Sequence, residues 1–376
     1  MGVKRKSDLE AFRSAFDPKA TLPDALLLVL RGIHSPSDVI ISAASPFSWG
    51  RMKRREFITY FVGAAVACPL AVQPLLAQAP KGKIRYLHPV TISPSHATFS
   101  MLRKEWQRLG YVEGETILVR SGEGDLTRLP ALIRDLIEKD VGVLVVVGAD
   151  AVRVAATTTK TRPIVAIDME TDPVQTGLVA SFARPGSNVT GLFLDLPSLA
   201  TKWIELMREA APGLERIAFA WQPSTGRNQL DVALDAARAL GVEAIVLETA
   251  TTDDFANSFS RLAGPKRTGI ILLTFPGFAT VSARYAAAAQ LRGLPTMSFL
   301  SAATKEGILM SYGPKQEDYF PRAIQIADRI LRGESVGQLP IERPTKFEFV
   351  LNLKTAKALG LILPPTLLTR TDEVIE

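Results

Sequence analysis

Cysteine is almost absent: Cys68 is the only one in 376 residues. From Pro80 onward there is none, which excludes disulfides, thiol nucleophiles and cysteine-based metal sites from that stretch. Histidine is nearly as scarce, and His88 and His96 lack the i, i+4 helical spacing of zinc enzymes, so both read as surface or first-loop residues and no metal is expected. Also missing are a G-x-G-x-x-G after a strand, a G-x-x-x-x-G-K-[ST] loop and a G-x-S-x-G elbow. The equipment for common redox, phosphoryl-transfer and hydrolytic chemistry is therefore not there; no catalytic residue and no cofactor are expected. A strong charge of one sign is lacking too. The net charge is +6, but residues 1–79 hold 10 of the 44 Lys/Arg and 6 of the 38 Asp/Glu, leaving 34 against 32 for residues 80–376. A surface so balanced gives no electrostatic footprint for nucleic acid.

What is present is a composition for a large core, 47% hydrophobic with 22% charged, at a length that suits two domains or two lobes. The first sharp local signal is Lys53-Arg54-Arg55-Glu56-Phe57-Ile58-Thr59, followed by an apolar, small-residue run from Tyr60 to about Ala77. A cationic n-region, a short h-region and a small-residue end make an export signal at 52–79. Pro69 and Pro74 interrupt the run, which is too short for a membrane-spanning helix of about 20 residues. The paired arginines resemble the twin-arginine type, although Lys53, Ile58 and Thr59 depart from it. Cleavage after Ala77 is expected; lipid anchoring at Cys68 is the lesser alternative. A signal belongs at a chain start, so Met52 is expected to be the true start and residues 1–51 a non-native or disordered extension.

From Lys83 on, short β-rich runs alternate with helical patterns, the mark of parallel α/β sheets. Ile84–Leu87, Thr116–Val119, Val143–Val147 and Ile164–Ile167 are predicted strands. Phe99, Leu102, Trp106 and Leu109 form one apolar helix face, and a second helix over about Leu126 to Lys139 turns Leu129, Leu132, Ile133 and Leu136 inward. The pattern then restarts, with strands at Arg216–Ala220, Ala244–Leu247 and Ile270–Thr274 and a helix from about Asn228 to Leu240. Leu240-Gly241-Val242-Glu243 echoes Leu109-Gly110-Tyr111-Val112-Glu113 at the same place in the first half. Two such lobes suggest a clamshell with a cleft between them.

Open α/β sheets bind ligands beyond the carboxyl ends of their strands. The loops placed there are Pro89–Ser95, Ser121–Asp125, Gly148–Val152, Asp168–Val174, Gln222–Arg227, Phe275–Thr280 and Phe299–Thr304. They are rich in Ser, Thr and Gly, which suits fixing a small polar solute through hydrogen bonds, with helix N-termini facing an anionic group. Ser93 and Ser95 offer hydroxyls; Gly148 and Ala149 open a helix whose N–H groups suit a carboxylate; Asp150 reads as an N-cap or a contact. Asp172 either pairs with a ligand ammonium or holds its own turn. Phe275, Phe278 and Phe299 either pack on an apolar ligand group or belong to the core, and Trp221 is a further cleft candidate.

Taken in order, several blocks resemble the ABC-transporter substrate-binding family that includes tryptophan- and phenylalanine-binding members. They are Leu109-Gly110-Tyr111-Val112-Glu113-Gly114, Arg128-Leu129-Pro130-Ala131-Leu132, Asp172-Pro173-Val174 with Gly177-Leu178-Val179-Ala180-Ser181, and Ala183-Arg184-Pro185-Gly186-Ser187-Asn188-Val189-Thr190-Gly191. Leu309-Met310-Ser311-Tyr312-Gly313-Pro314, Pro344-Thr345-Lys346-Phe347-Glu348-Phe349 and Asn352–Leu361 continue the pattern, so the resemblance covers about residues 52–376. It implies a type I periplasmic-binding-protein fold: two Rossmann-like lobes joined by a multi-strand hinge, with lobe 1 at 83–190 and 311–343 and lobe 2 at 191–310 and 344–376. It places Asn188, Thr190 and Gly191 at the first crossing, Ser311 and Tyr312 at the return, and Thr345–Phe349 near the third. Where many relatives read Gly-Thr-Pro, this chain has Gly148-Ala149-Asp150, and where they often carry Asp-Pro it has Phe275-Pro276-Gly277-Phe278. These departures tilt the expected ligand toward something less polar than a simple amino acid. The implied function is capture of a small solute, an amino acid or related aromatic or organic compound, in the periplasm for an ABC importer. The expected partners are the solute and the permease, the expected state a monomer. The alternatives are a ligand sensor docking on a receptor kinase, and an exported enzyme using Asp168 or Asp172 as a base.

Overall fold

In a computed structural model, residues 82–91, 97–249, 258–259, 262 and 267–376 are described. By compactness the chain divides into Met1–Pro74 and Leu75–Glu376, and every described residue belongs to the second. The extension at 1–51, the export signal with Cys68, and Ser93 and Ser95 lie outside the described residues.

The alternating apolar runs form two sheets. In the first sheet the strands are β1 (Ile84–His88), β2 (Ile117–Ser121), β3 (Val143–Val147), β4 (Ile164–Asp168) and β5 (Val189–Phe193), in the order β2-β1-β3-β4-β5 and all parallel. Apart from the edge strand β2, which is half-buried, its strands are buried on both faces, β3 reading Val-Leu-Val-Val-Val, because helices cover each side. One cover is α1 (Ala97–Arg108), where Phe99, Leu102 and Trp106 sink into the core as their spacing requires. The Trp106 indole meets the rings of Phe99 and Tyr86 edge-on, at 5.5 and 6.1 Å between centroids. Further helices of this lobe are α2 (Leu129–Glu138) and α3 (Ala149–Thr158). Leu129, Ile133 and Leu136 of α2 are buried, and a short 3-10 turn, Leu126–Arg128, precedes it where one continuous helix is expected. Asp125 caps that turn by accepting from the Thr127 N–H at 2.9 Å.

The second lobe is built from α4 (Ala200–Ala210), β6 (Arg216–Trp221), α5 (Asn228–Ala239), β7 (Glu243–Glu248), β8 (Thr268–Leu272), α6 (Phe278–Gln290), β9 (Thr296–Ser298), α7 (Ser301–Lys305) and β10 (Met310–Pro314). The chain then leaves as α8 (Gln316–Leu331), which packs on α1 and across β3, β4 and β5 of the first sheet. It returns as β11 (Phe347–Asn352), α9 (Leu353–Ala358), α10 (Pro365–Leu368) and β12 (Glu373–Ile375). The second sheet has the order β12-β11-β10-β9-β8-β6-β7, with only β10 and β11 antiparallel. That reversal follows from the path: β11 enters from the first lobe, opposite in direction to β10, which leaves for it. Strand β8 begins two residues earlier than its apolar run suggests, because Thr268 and Gly269 already pair with Arg216 and Ile217.

Three segments cross between the lobes. Asn188, Thr190 and Gly191 sit at or within β5 of the first sheet, and Ser311 and Tyr312 within β10 of the second, so the crossings fall a few residues past the expected 190/191 and 310/311 boundaries, near Leu194–Asp195 and at Lys315. The third crossing begins beside the first: Glu342 N–H donates to the Gly191 carbonyl at 2.9 Å, and Phe193 N–H to Glu342 at 3.1 Å. Arg343 ties these segments, pairing with Asp172 at 3.1 Å and Asp195 at 3.5 Å over the ring of Phe182. No helix among the described residues is long and apolar enough to cross a membrane.

Candidate functional site: the cleft between the lobes

Parallel strands of both sheets end at the cleft, and the connecting loops meet there. Two adjoining cavities of about 70 and 330 Å³ lie between the lobes. Every loop placed at the strand ends contributes to their lining: Val90, Gly124, Gly148, Glu170, Gln222, Phe275 and Phe299 are one residue from each. The smaller cavity is floored by Phe275, Phe278 and Phe299. Phe278 stands 5.6 Å from each of the other two rings and 6.2 Å from Tyr285, a packed aromatic cluster that also forms core. The larger cavity is more polar, with Asp150, Glu170, Gln222, Thr225 and Thr280 on its wall. Among the described residues, no Lys or Arg lines either one.

The rims of the cleft touch. Gly148 lies between Pro89 of its own lobe and Pro276 of the other, with room for a Cβ only at 3.5 and 3.6 Å from their rings. Gly277 faces Val90 across the cleft; a Cβ there would stand 3.2 Å from a Val90 methyl. The Asn228 amide at the start of α5 donates to the Glu170 carbonyl across the gap at 2.8 Å. These contacts describe a closed cleft.

At the first-lobe side, α3 opens with Gly148 in the cap position at φ +88°, so the N-cap is Gly148 and not Asp150. The first intrahelical bond runs from Val152 N–H to the Gly148 carbonyl, which leaves the N–H groups of Ala149, Asp150 and Ala151 without intrahelical acceptors at the cavity wall. Asp150 pairs outward with Arg153 at 2.8 Å.

Glu170, which loop-level reasoning covers but does not single out, is the carboxylic acid common to both cavities. It is buried beside Asp168, and burial together with the Asp168 charge holds its carboxyl well above the usual carboxylate range. Asp168 is wholly buried; its oxygens accept from the N–H groups of Glu170 and Thr171 at 2.8 and 2.9 Å and from the Thr171 hydroxyl at 2.6 Å.

Two expected contacts are spent elsewhere. Asp172 lies outside both linings; it accepts from the N–H groups of Val174 and Gln175 and pairs with Arg343, so it holds its own turn and the crossing. Trp221 also lies outside them, its indole N–H donating to the Gly226 carbonyl at 2.8 Å with the Arg227 guanidinium over the ring. Gly148, Ala149, Asp150, Phe275, Phe278 and Phe299 do line the cavities.

Two α/β lobes, three crossings and a ligand-sized interlobe cleft define the type I periplasmic-binding-protein class. The chain belongs to the ABC transporter substrate binding protein family, whose model matches residues 89–375. Among characterised relatives, a tyrosine-binding protein of Clostridioides difficile (strain R20291) is 24% identical over 262 residues, 67% of this chain and 73% of that one. Among solved structures, a conserved domain protein from Vibrio cholerae superposes with a TM-score of 0.70 at 22% identity, covering 78% of this chain and 99% of that one. An ABC domain from Streptococcus pneumonia in complex with L-Trp superposes with a TM-score of 0.69 at 21% identity, over 78% of this chain and 100% of that one.

Proposed function

We propose that the protein captures an amino acid or related aromatic solute in the closed cleft, outside the cytoplasm, and delivers it to the permease of an ABC importer. One observation carries the solute class: an aromatic floor of Phe275, Phe278 and Phe299 adjoins a polar chamber walled by the N-terminus of α3 and by Glu170. An apolar side chain fits the first surface, and a carboxylate fits the helix N–H groups of the second. The tyrosine-binding relative and the L-Trp complex support the same class. The lobes move on crossings that run side by side at Gly191–Phe193 and Glu342, so the solute stabilises closure by bridging both walls, and the closed face is what a permease reads. Asn188, Thr190, Gly191, Ser311 and Tyr312 flank these crossings and carry the hinge strands. The monomer then suffices, since both walls of the cleft come from one chain. The leader at 52–79 serves the same reading, as an export signal to the periplasm.

A thermal-shift screen against amino acids, deaminated aromatic acids, sugars and nucleosides tests this. A solute at 100 times its Kd stabilises the fold by about 2.7 kcal/mol, seen as a raised melting temperature. A selective hit among amino acids or aromatic acids is expected; a hit confined to sugars or nucleosides would overturn the solute class.

A further inference from the structure

We propose that Glu170 receives the ammonium group of an α-amino acid solute and passes its own proton to water as the solute binds, which makes the solute zwitterionic rather than purely anionic. The proposal rests on the cleft reading above and names the chemistry of that site. Glu170 lines both cavities at their junction, is 5% exposed, and carries Asn228 of the facing lobe on its carbonyl. Its carboxyl lies beside Asp168 and accepts from the Met169 N–H at 3.3 Å. Among the described residues neither acid has an ion-pair partner, and no Lys or Arg lines either cavity. Two touching, buried carboxyls with no cation cannot both ionise, so one proton stays with the pair.

An entering ammonium supplies the missing cation. The Glu170 O–H bond breaks, its electron pair stays on the carboxylate, which binds the ammonium, and the proton leaves to solvent. Among the described residues, the charged and titratable groups facing Glu170 from packed elements are Asp168 of β4, Asp150 of α3 with its Arg153, His88 of β1 and Tyr319 of α8, and the facing lobe contributes the uncharged Asn228, Gln222, Thr225, Thr274 and Thr280. Asp168 is saturated with donors and Asp150 is turned to Arg153, which leaves Glu170 as the acceptor of the cation.

The test is titration calorimetry of the full chain at neutral pH in two buffers of different ionisation enthalpy. The probes are L-phenylalanine, L-tyrosine and L-tryptophan, each beside its deaminated acid. The tightest amino acid is expected to release close to one proton per molecule bound and to bind far more tightly than its deaminated partner. In E170Q, whose amide keeps a donor toward Asp168 as the protonated acid does, proton release vanishes and the amino acid loses about 30-fold or more in affinity. A cooperative thermal melt of solute-free E170Q, run beside the titrations, shows that the variant is folded. If an amino acid binds tightly but without proton release, and equally to E170Q, this assignment is overturned while the cleft reading stands. If none of the six probes binds, both fall.

Discussion

Gly277→Ala separates lobe closure from folding, because one added methyl meets different atoms in the two states. Gly277 caps α6 at φ +88°, where an alanine is strained by about 1–2 kcal/mol whether the cleft is open or closed. In the closed cleft the new Cβ also stands 3.2 and 3.4 Å from the two methyls of Val90 on the opposite lobe, an overpacking of about 1–3 kcal/mol that opening relieves. The first cost lowers the melting temperature of the solute-free protein by roughly 2–6 °C. The second is charged only to closure, and weakens solute binding by roughly 5- to 150-fold. Adding Val90→Ala removes both methyls. The double variant should therefore recover most of the affinity, less whatever Val90 itself contributes, and none of the alanine strain. Thermal melts and calorimetric Kd values of the four proteins form a complete cycle. A coupling energy near zero between the two sites in binding, or an affinity of Gly277→Ala equal to wild type, would refute closure against Val90.

Three further outcomes follow from named contacts. Gly191→Ala puts a Cβ 2.2 Å from the Ala166 carbonyl oxygen and 2.5 Å from its nitrogen, backbone atoms that cannot swing aside, so β4 and β5 separate; a loss of more than about 4 kcal/mol is expected in urea melts. Phe278→Ala empties the centre of the aromatic floor, costing about 3–5 kcal/mol by the same assay and weakening binding of aromatic solutes most. The Asp168–Glu170 pair holds protons more tightly folded than unfolded, so the folded state binds more of them and stability falls as pH rises from the ordinary carboxylate range toward the raised one. Glu170→Gln removes that fall: solute-free wild type and variant should melt alike near pH 4, and the variant higher, by several degrees, near pH 7.5.

Much of the fold is written in local pattern, since a strand covered on both faces must be apolar throughout and a covering helix apolar on one face. Val143–Val147 is legible in full for that reason. Strand ends are less legible, because pairing rather than hydropathy sets them; Thr268, a polar residue, joins β8 by pairing with Arg216. The site is legible as a set of loops, since the carboxyl ends of parallel strands must converge. Individual side chains are harder. Asp172 sits where a ligand contact belongs, yet Arg343, 171 residues away, claims it. Trp221 folds back on Gly226, a closure that depends on the φ of +74° there. Glu170 becomes distinctive only once Asp168 is seen buried beside it without a cation. Asp150 reads as a cap or a contact until the backbone shows Gly148 in the cap position.

On the reading proposed above, a small solute bridges the two lobes in this cleft. A crystal structure of the protein with the best solute from the thermal screen tests it most directly. Solute density is expected between Gly148–Ala151 and Glu170 on one side and Phe275–Thr280 on the other, with the Val90–Gly277 contact kept. Density on an outer surface, with the cleft closed and empty, would contradict it.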